Sequence, residues 1–250
     1  MTLVLGVDGC PGGWCCVPIR IGDGDPEVLP STVVGCFGEA LAMPAEIICV
    51  DIPIGLSCGT RRRQCDGLAR SMLGAKRSSV FDPPCRHALP RFDHSDASNA
   101  NEMCTTRGLS IQAFGIMPKI REVDAAMYPH LQDRVKEIHP ELCFSALNGG
   151  APIASKKRCV SGRIDRWNTL RHYLHGLPAV PPKPSDLAAR CEPDDYIDAL
   201  AAAWAAVCIL HKEARHIPAK PPTDERGLRM EMWYPAPTRW VRRGQAARRR

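Results

Sequence analysis

The chain has 250 residues, of which 44% are hydrophobic and 24% are charged, and its formal net charge is +6. A chain of this size can bury a full hydrophobic core, so it needs neither disulfides nor a partner to fold. The charge excess is modest and lies partly in a basic tail, 236–250, which excludes a strong inference about a polyanionic partner. We predict one domain, 1–235, ahead of that tail.

The cysteines and the apolar segments indicate the compartment. The 13 cysteines are an odd number, are scattered, and include no CxxC pair, so the spacing indicates neither a disulfide framework nor a zinc site. The apolar N-terminus ends at Asp8, which makes it too short for a signal peptide or a membrane span. We therefore expect a cytoplasmic protein without membrane contact, whose oligomeric state the sequence leaves open.

The N-terminal part predicts four strands and one helix. An apolar strand at Thr2 to Val7 and a second apolar run at Trp14 to Ile21 flank turn residues, which together predict a hairpin. A third strand is predicted at 28–34, a short helix at 38–43 and a fourth strand at 46–51. The fourth strand lacks polar alternation, which is typical of a strand covered on both faces.

The rest of the chain predicts mainly helices. The polar, irregular segment 57–130 is interpreted as a largely helical insertion after the fourth strand. A fifth strand is predicted at 136–139, followed by a helix that begins at Pro140 and ends before Gly149 and Gly150. Further helices are predicted at 163–174 and, with the strongest start signals, at 193–209.

Two aspartates follow predicted strands. Asp8 comes after the first strand and Asp51 ends the fourth. If these strands are parallel neighbours, both carboxylates lie at the same carboxyl-terminal edge, where α/β sheets bind ligands. Taken alone, each aspartate could instead serve as a turn or helix-capping residue. Together they suit hydrolysis of a phosphodiester by two metal ions, which needs several carboxylates around hard cations.

A second acidic pair begins the last predicted helix. Asp195 and Asp198 are three residues apart and therefore share a helix face, where they repel each other unless a cation is bound. Asp198 also precedes an alanine-rich apolar face. The structural alternative has Asp194 capping the helix and Asp195 interacting with its dipole, which leaves Asp198 without an explanation.

Five ordered motifs carry a resemblance to a known family. They are Gly6 to Trp14, Asp51 to Leu56, Arg77 to Phe81, Glu137 to Glu141, and Asp195 to Ala199. With these motifs the chain resembles the DUF429 family of uncharacterised proteins, which have been predicted to be RNase H-like nucleases. The last motif also resembles the closing helix of RuvC-type Holliday junction resolvases.

The resemblance implies a fold and a metal site. The fold would be a three-layer α/β, RNase H-like fold with a mixed five-stranded sheet. The metal ligands would be Asp8, Asp51, Asp195 and Asp198, in the order usual for that superfamily. Because these are hard oxygen ligands without a Cys or His cluster, the expected ion is Mg²⁺ or Mn²⁺. The implied activity is hydrolysis of phosphodiester bonds in nucleic acid, DNA or RNA.

Residues around the fifth strand extend the catalytic set. Glu137 is assigned to it as an additional candidate ligand, and His139 and Glu141 are accessory candidates. Each has a structural alternative: Glu141 lies in the first turn of a helix, where the dipole favours a carboxylate, and His139 could simply pack at the helix start.

Basic motifs are candidates for binding substrate phosphates. Three basic runs could each hold phosphates: Arg61 to Arg63 with Arg70, Lys76 with Arg77, and Lys156 to Arg158 with Arg163 and Arg166. Arg77 with Ser78 and Ser79, and Lys156 with Lys157, also match motifs of the family. Such charge runs can also be ordinary solvated surface.

Two rival functions stay open at this point. In the first, the Gly-rich turn from Asp8 to Gly13 cradles a phosphate in a nucleotide phosphohydrolase of the actin-like fold, although that fold needs two such domains. The second is a nucleic-acid-binding module without catalysis, which the presence of all four aspartates disfavours. DNA and RNA, branched and linear substrates, and endo and exo cleavage are not distinguished.

Overall fold

The computed structural model describes residues 1–188 and 190–236. Within these residues the strands are β1 (Thr2–Cys10), β2 (Gly13–Ile21), β3 (Glu27–Val28), β4 (Thr32–Val34), β5 (Ile47–Val50), β6 (Val135–Glu137), β7 (Ala214–Ile217) and β8 (Met232–Pro235). The α-helices are α1 (Phe37–Ala42), α2 (Gln64–Leu73), α3 (His94–Thr105), α4 (Ile111–Ala126), α5 (Pro140–Leu147), α6 (Val160–Arg171) and α7 (Pro193–Leu210).

The main sheet is mixed. Its strand order is β3-β2-β1-β5-β6, and β4 pairs with the beginning of β2 while β3 pairs with its end. Strands β1 and β2 form the predicted antiparallel hairpin, whereas β5 pairs parallel with both β1 and β6. Val7 lies opposite Val50, and the N–H of Asp51 donates to the carbonyl of Val7 at 3.3 Å. The sequence prediction that the strands of Asp8 and Asp51 are parallel neighbours is therefore confirmed.

Apolar side chains fill both faces of the sheet. On one face Val4 belongs to a core that contains residues of α5, α6 and α7, and on the other Leu5 and Val7 join a core with residues of α1 and α4. Alternation along a strand produces this division. Helix α7 lies directly on β1, because a Cβ at Gly6 would come 2.0 Å from the carbonyl oxygen of Ala199. The sheet and its two helical faces make three layers.

Two sequence predictions need correction. The predicted strand 28–34 is interrupted and forms the separate strands β3 and β4, because Pro30 between them has no N–H to donate to a ladder. Asp8 does not end its strand, since β1 continues to Cys10 and pairs with β2 along its whole length. The small β7–β8 sheet was not predicted.

The remaining elements lie close to their predicted positions. Helices α1, α5, α6 and α7 begin within three residues of their predicted starts. The segment between β5 and β6 carries α2, α3 and α4. No helix in the described ranges is long and apolar enough to cross a membrane. Of the basic tail, 237–250 lies outside the described residues.

Candidate active site

An open cleft of about 700 Å³ lies at the carboxyl ends of the parallel strands β1 and β5. Asp8, Asp51, Asp195 and Asp198 all line it. The sheet register places Asp8 beside Asp51, and the first two turns of α7 bring Asp195 and Asp198 to the same cleft. The structure therefore brings together the four aspartates that the sequence proposed as metal ligands.

Burial and mutual repulsion make these carboxylates difficult to ionise. The pKa of Asp8 is raised well above its ordinary value, first by burial and then by the charges of Asp51 and Asp198. Burial is also the main cause that raises the pKa of Asp51 to about 6, with a further contribution from Asp198, while His139 opposes the shift. A bound cation would relieve this concentration of negative charge.

The two aspartates of α7 differ in their partners. Asp195 accepts a hydrogen bond from the backbone N–H of Glu192 at 3.1 Å, which caps the helix, and burial raises its pKa to about 6. Asp198 accepts from the ammonium of Lys157 at 2.8 Å. Its side chain is only 4% exposed, and burial raises its pKa despite the lysine. Helix capping therefore gives Asp195 a structural role, but it does not explain why a carboxylate is present at Asp198.

His139 and Glu141 also line the cleft. One oxygen of Glu141 accepts from the guanidinium of Arg166 at 2.5 Å, whereas its Oε2 is buried without a hydrogen-bond partner among the described residues. His139 interacts through Nε2 with the carbonyl of Ser79 at 3.2 Å. Its Nδ1 is buried and has no hydrogen-bond partner within residues 1–188 and 190–236. Such unsatisfied polar atoms are uncommon in protein interiors and mark places where a ligand or ion can bind.

Glu137 does not line this cleft. Its Oε2 accepts from the N–H of Ile54 at 2.7 Å and forms an ion pair with Arg63, whose guanidinium also lies 3.6 Å from Asp66. All three charged side chains are almost fully buried. The structure thus gives Glu137 structural partners and leaves it out of the cleft lining in which the four aspartates meet, although the sequence had grouped it with them.

Cations surround the acidic centre. Of the predicted phosphate contacts, Ser78, Ser79, Lys156 and Lys157 line the cleft, and Arg77 does not. Lys76 and Arg158, which belong to the predicted basic runs, also line the cleft, and so does Lys119, which sequence reasoning missed. Lys119 gave no sequence signal, because it reaches the cleft only through the packing of α4, where its ammonium donates to the carbonyl of Gly13.

The spread of the carboxylates bears on what they can hold. Three groups of Cys, His, Asp or Glu in the described ranges have all their ligand atoms within 4.8 Å of one another: Cys58, His87 and Cys104; Cys10, Cys191 and Asp195; and Cys65, Asp66 and Glu137. No group of that tightness contains Asp8, Asp51 and Asp198 together. To bind one ion, the oxygens of these three aspartates would have to move closer together. Two ions about 4 Å apart can be bound by carboxylates that lie farther from one another.

Comparison with known proteins gives a family and no activity. No curated protein and no solved structure matches the sequence. The model of one family, described as a protein of unknown function (DUF429), matches residues 6–223, which include all four aspartates of the cleft. The chain therefore belongs to the DUF429 family.

Proposed function

We propose that the chain is a divalent-metal-dependent nuclease with an RNase H-like fold, which hydrolyses phosphodiester bonds of DNA or RNA. The observation that carries the proposal is the meeting of Asp8, Asp51 and Asp198, from β1, the end of β5 and α7, in one cleft. The three-layer arrangement around a mixed sheet supports the fold assignment. Buried carboxylates that outnumber their ion-pair partners are costly. Of these three only Asp198 has an ion pair among the described residues, with Lys157, so their convergence favours a role in binding metal.

The donor set fits magnesium or manganese. Asp8, Asp51, Asp195 and Asp198 offer hard carboxylate oxygens, and the unpartnered Oε2 of Glu141 lies in the same cleft lining. When bound, the metal would supply an activated water and stabilise the charge that develops on the phosphate. After burial, neighbouring carboxylates contribute to the raised pKa values of these aspartates, and a bound cation would offset that repulsion.

The chain's own cations are suited to holding a polyanion. Lys76, Lys119, Lys156 and Arg158 line the cleft around the carboxylates, where they can bind phosphates on either side of the scissile bond. His139 is oriented by its contact with the carbonyl of Ser79 and lines the same cleft, where it can hold a proton or orient a water. The open shape of the cleft suits a long substrate better than an enclosed small molecule.

Cleavage assays with matched variants test the proposal. The wild type is incubated with Mg²⁺ or Mn²⁺ and single-stranded, double-stranded and branched DNA, RNA and nucleoside triphosphates. We expect cleavage of nucleic acid that Asp51→Asn abolishes and that Asp194→Asn retains, because Asp194 lies in the same turn of α7 as Asp195 but not in the cleft lining. Calorimetry should show Mg²⁺ or Mn²⁺ binding at millimolar concentration that Asp8→Asn weakens.

Other outcomes identify the rivals. Hydrolysis of triphosphates that is lost in Asp51→Asn, with no cleavage of DNA or RNA, would replace the proposal with a nucleotide phosphohydrolase. Binding of nucleic acid without cleavage in any metal would indicate a binding module. Identical metal titrations of the wild type and Asp8→Asn would remove the metal site altogether.

A further inference from the structure

A cluster of soft ligands lies outside the carboxylate cleft. The sulfur of Cys58 is 3.1 Å from that of Cys104, and Nδ1 of His87 is 3.6 Å from the first sulfur and 3.9 Å from the second. None of the three residues lines the cleft. They come from the loop after β5, the loop before α3, and α3 itself, and 46 residues separate the two cysteines.

The distances are close to the edges of a zinc tetrahedron. Zinc binds sulfur at about 2.3 Å and histidine nitrogen at about 2.0–2.1 Å, which places tetrahedral ligands about 3.5–3.8 Å from one another. The two distances from His87, 3.6 and 3.9 Å, lie in or close to that range, and the two sulfurs, 3.1 Å apart, would move apart by about 0.7 Å around an ion. A hydrogen-bonded thiol pair would account for the two sulfurs but leaves the approach of His87 to both of them unexplained.

Cys85 lies next to the three ligands but is not one of them. It is fully buried, its thiol contacts the carbonyl oxygen of Ala100 at 3.9 Å, and it does not belong to the group whose ligand atoms all lie within 4.8 Å of one another. Its backbone N–H donates to Oδ1 of Asn101 at 2.7 Å, which fixes this part of the loop against α3. Two thiolates and one imidazole leave the fourth position of a tetrahedral site to water or, after a side-chain rotation, to the thiol of Cys85.

The surrounding contacts fix the backbone segments that carry the ligands. Next to His87, the Arg86 guanidinium forms ion pairs with Asp124 at 3.0 Å and Glu225 at 2.8 Å. Arg107 donates to the carbonyl of Thr60 at 2.9 Å, which joins the Cys58 loop to the end of α3. These contacts hold the three segments near one another without an ion.

From this geometry we propose that Cys58, His87 and Cys104 bind one zinc ion. The ion joins the loop that follows Asp51 to α3 and to the turn before it. Soft thiolates and imidazole select zinc over magnesium or manganese, so the site is chemically distinct from the carboxylate cleft and does not depend on the proposed nuclease activity.

Elemental analysis of tag-free protein, purified without chelators, tests the proposal. We expect about one zinc per chain in the wild type. Cys104→Ser and His87→Ala should lose most of it, whereas the exposed cysteine variant Cys36→Ser and the cleft variant Asp51→Asn should keep it. If Cys104→Ser does not fold, the Co²⁺-substituted wild type serves instead, because thiolate-to-cobalt absorption reports sulfur ligands directly.

Three results would overturn the site. One is wild-type protein with free thiols that contains no zinc and binds none when it is added. Another is zinc that Cys104→Ser retains, which places it elsewhere. The third is a thiol titration that finds, without reductant, two fewer free thiols per chain than the sequence has cysteines. Cys58 and Cys104 would then be a disulfide pair.

Discussion

Asp51 and Glu137 are neighbouring acids with opposite surroundings. Glu137 lies opposite Val50 in the parallel pairing of β5 and β6, so Asp51 is only one position beyond it. Glu137 is ion-paired with Arg63, whereas Asp51 faces Asp8 and Asp198 across the cleft. Similar positions at the sheet edge thus give one acid a charge partner and the other an excess of like charge.

The pleat of the strand explains the difference. Residues paired across a sheet share a face, and consecutive residues alternate, so Glu137 shares the face of Val50 and Asp51 takes the other. Val50 belongs to the core that contains residues of α4, while α7 with Asp198 covers the opposite face. Both acids lie at a strand end, so that position does not distinguish a structural carboxylate from a candidate ligand. The distinction lies in the partner: Glu137 has a buried cation, and Asp51 has neighbouring carboxylates.

Among the substitutions considered, Asp198→Asn should have the largest effect on activity. On the nuclease proposal, the variant loses nearly all metal-dependent cleavage, measured by gel assay. Its melting temperature in metal-free buffer should hold or rise, because burial raises the pKa of Asp198 and the neutral amide avoids that cost. A purely structural Asp198 would behave oppositely, with about 1–3 kcal/mol of stability lost and activity falling only with the folded fraction.

Arg63→Met removes the buried cation that pairs with Glu137. It leaves Glu137 and Asp66 buried without their cation, which we expect to lower the free energy of unfolding by about 3–5 kcal/mol in urea denaturation. Arg62→Met is the control, because the pair of Arg62 with Asp82 is half-exposed and its loss should cost about 0–1 kcal/mol. Equal effects of the two variants would show that the buried pair is not a structural element.

The free energy of unfolding should depend on pH because the pKa of Asp51 is raised. Asp51 has a pKa of about 6 against its ordinary 3.8. A carboxyl with a raised folded-state pKa contributes stability below its unfolded pKa that is lost as pH rises through the folded value. Between about pH 4 and 7, metal-free wild type should therefore lose about 1–3 kcal/mol relative to Asp51→Asn in denaturation curves. Added Mg²⁺ should reduce the loss, and parallel pH curves for the two proteins would contradict it.

Salt dependence measures the smallest effect and concerns the cations of the cleft. The double variant Lys156→Ala, Arg158→Ala should lower the slope of log affinity for nucleic acid against log salt by about one per lost phosphate contact. Arg77→Ala should leave the slope unchanged, because Arg77 does not line the cleft. If Arg77 lowered the slope and the cleft pair did not, the substrate path would lie outside this cleft.

The sequence by itself determined much of the fold and the centre of the site. Apolar runs and turn residues located the β1–β2 hairpin and β5, and Pro140 and Pro193 marked the starts of α5 and α7. The predicted parallel strands placed Asp8 beside Asp51, although β1 continues to Cys10, and the family resemblance assigned Asp198 to the same cleft. These features could be predicted because periodicity, turns and helix starts are encoded within a few residues.

Only the tertiary structure decided which groups meet across long separations. Arg63 reaches Glu137 over 74 residues, Lys157 reaches Asp198 over 41, and Cys58 reaches Cys104 over 46. The β7–β8 sheet likewise depends on pairing between separate segments. No local pattern specifies such contacts, because they arise when whole helices and loops pack on the sheet and fix which side chains share a face. For this reason the sequence placed Glu137 with the catalytic acids and gave no sign of the Cys58, His87 and Cys104 cluster.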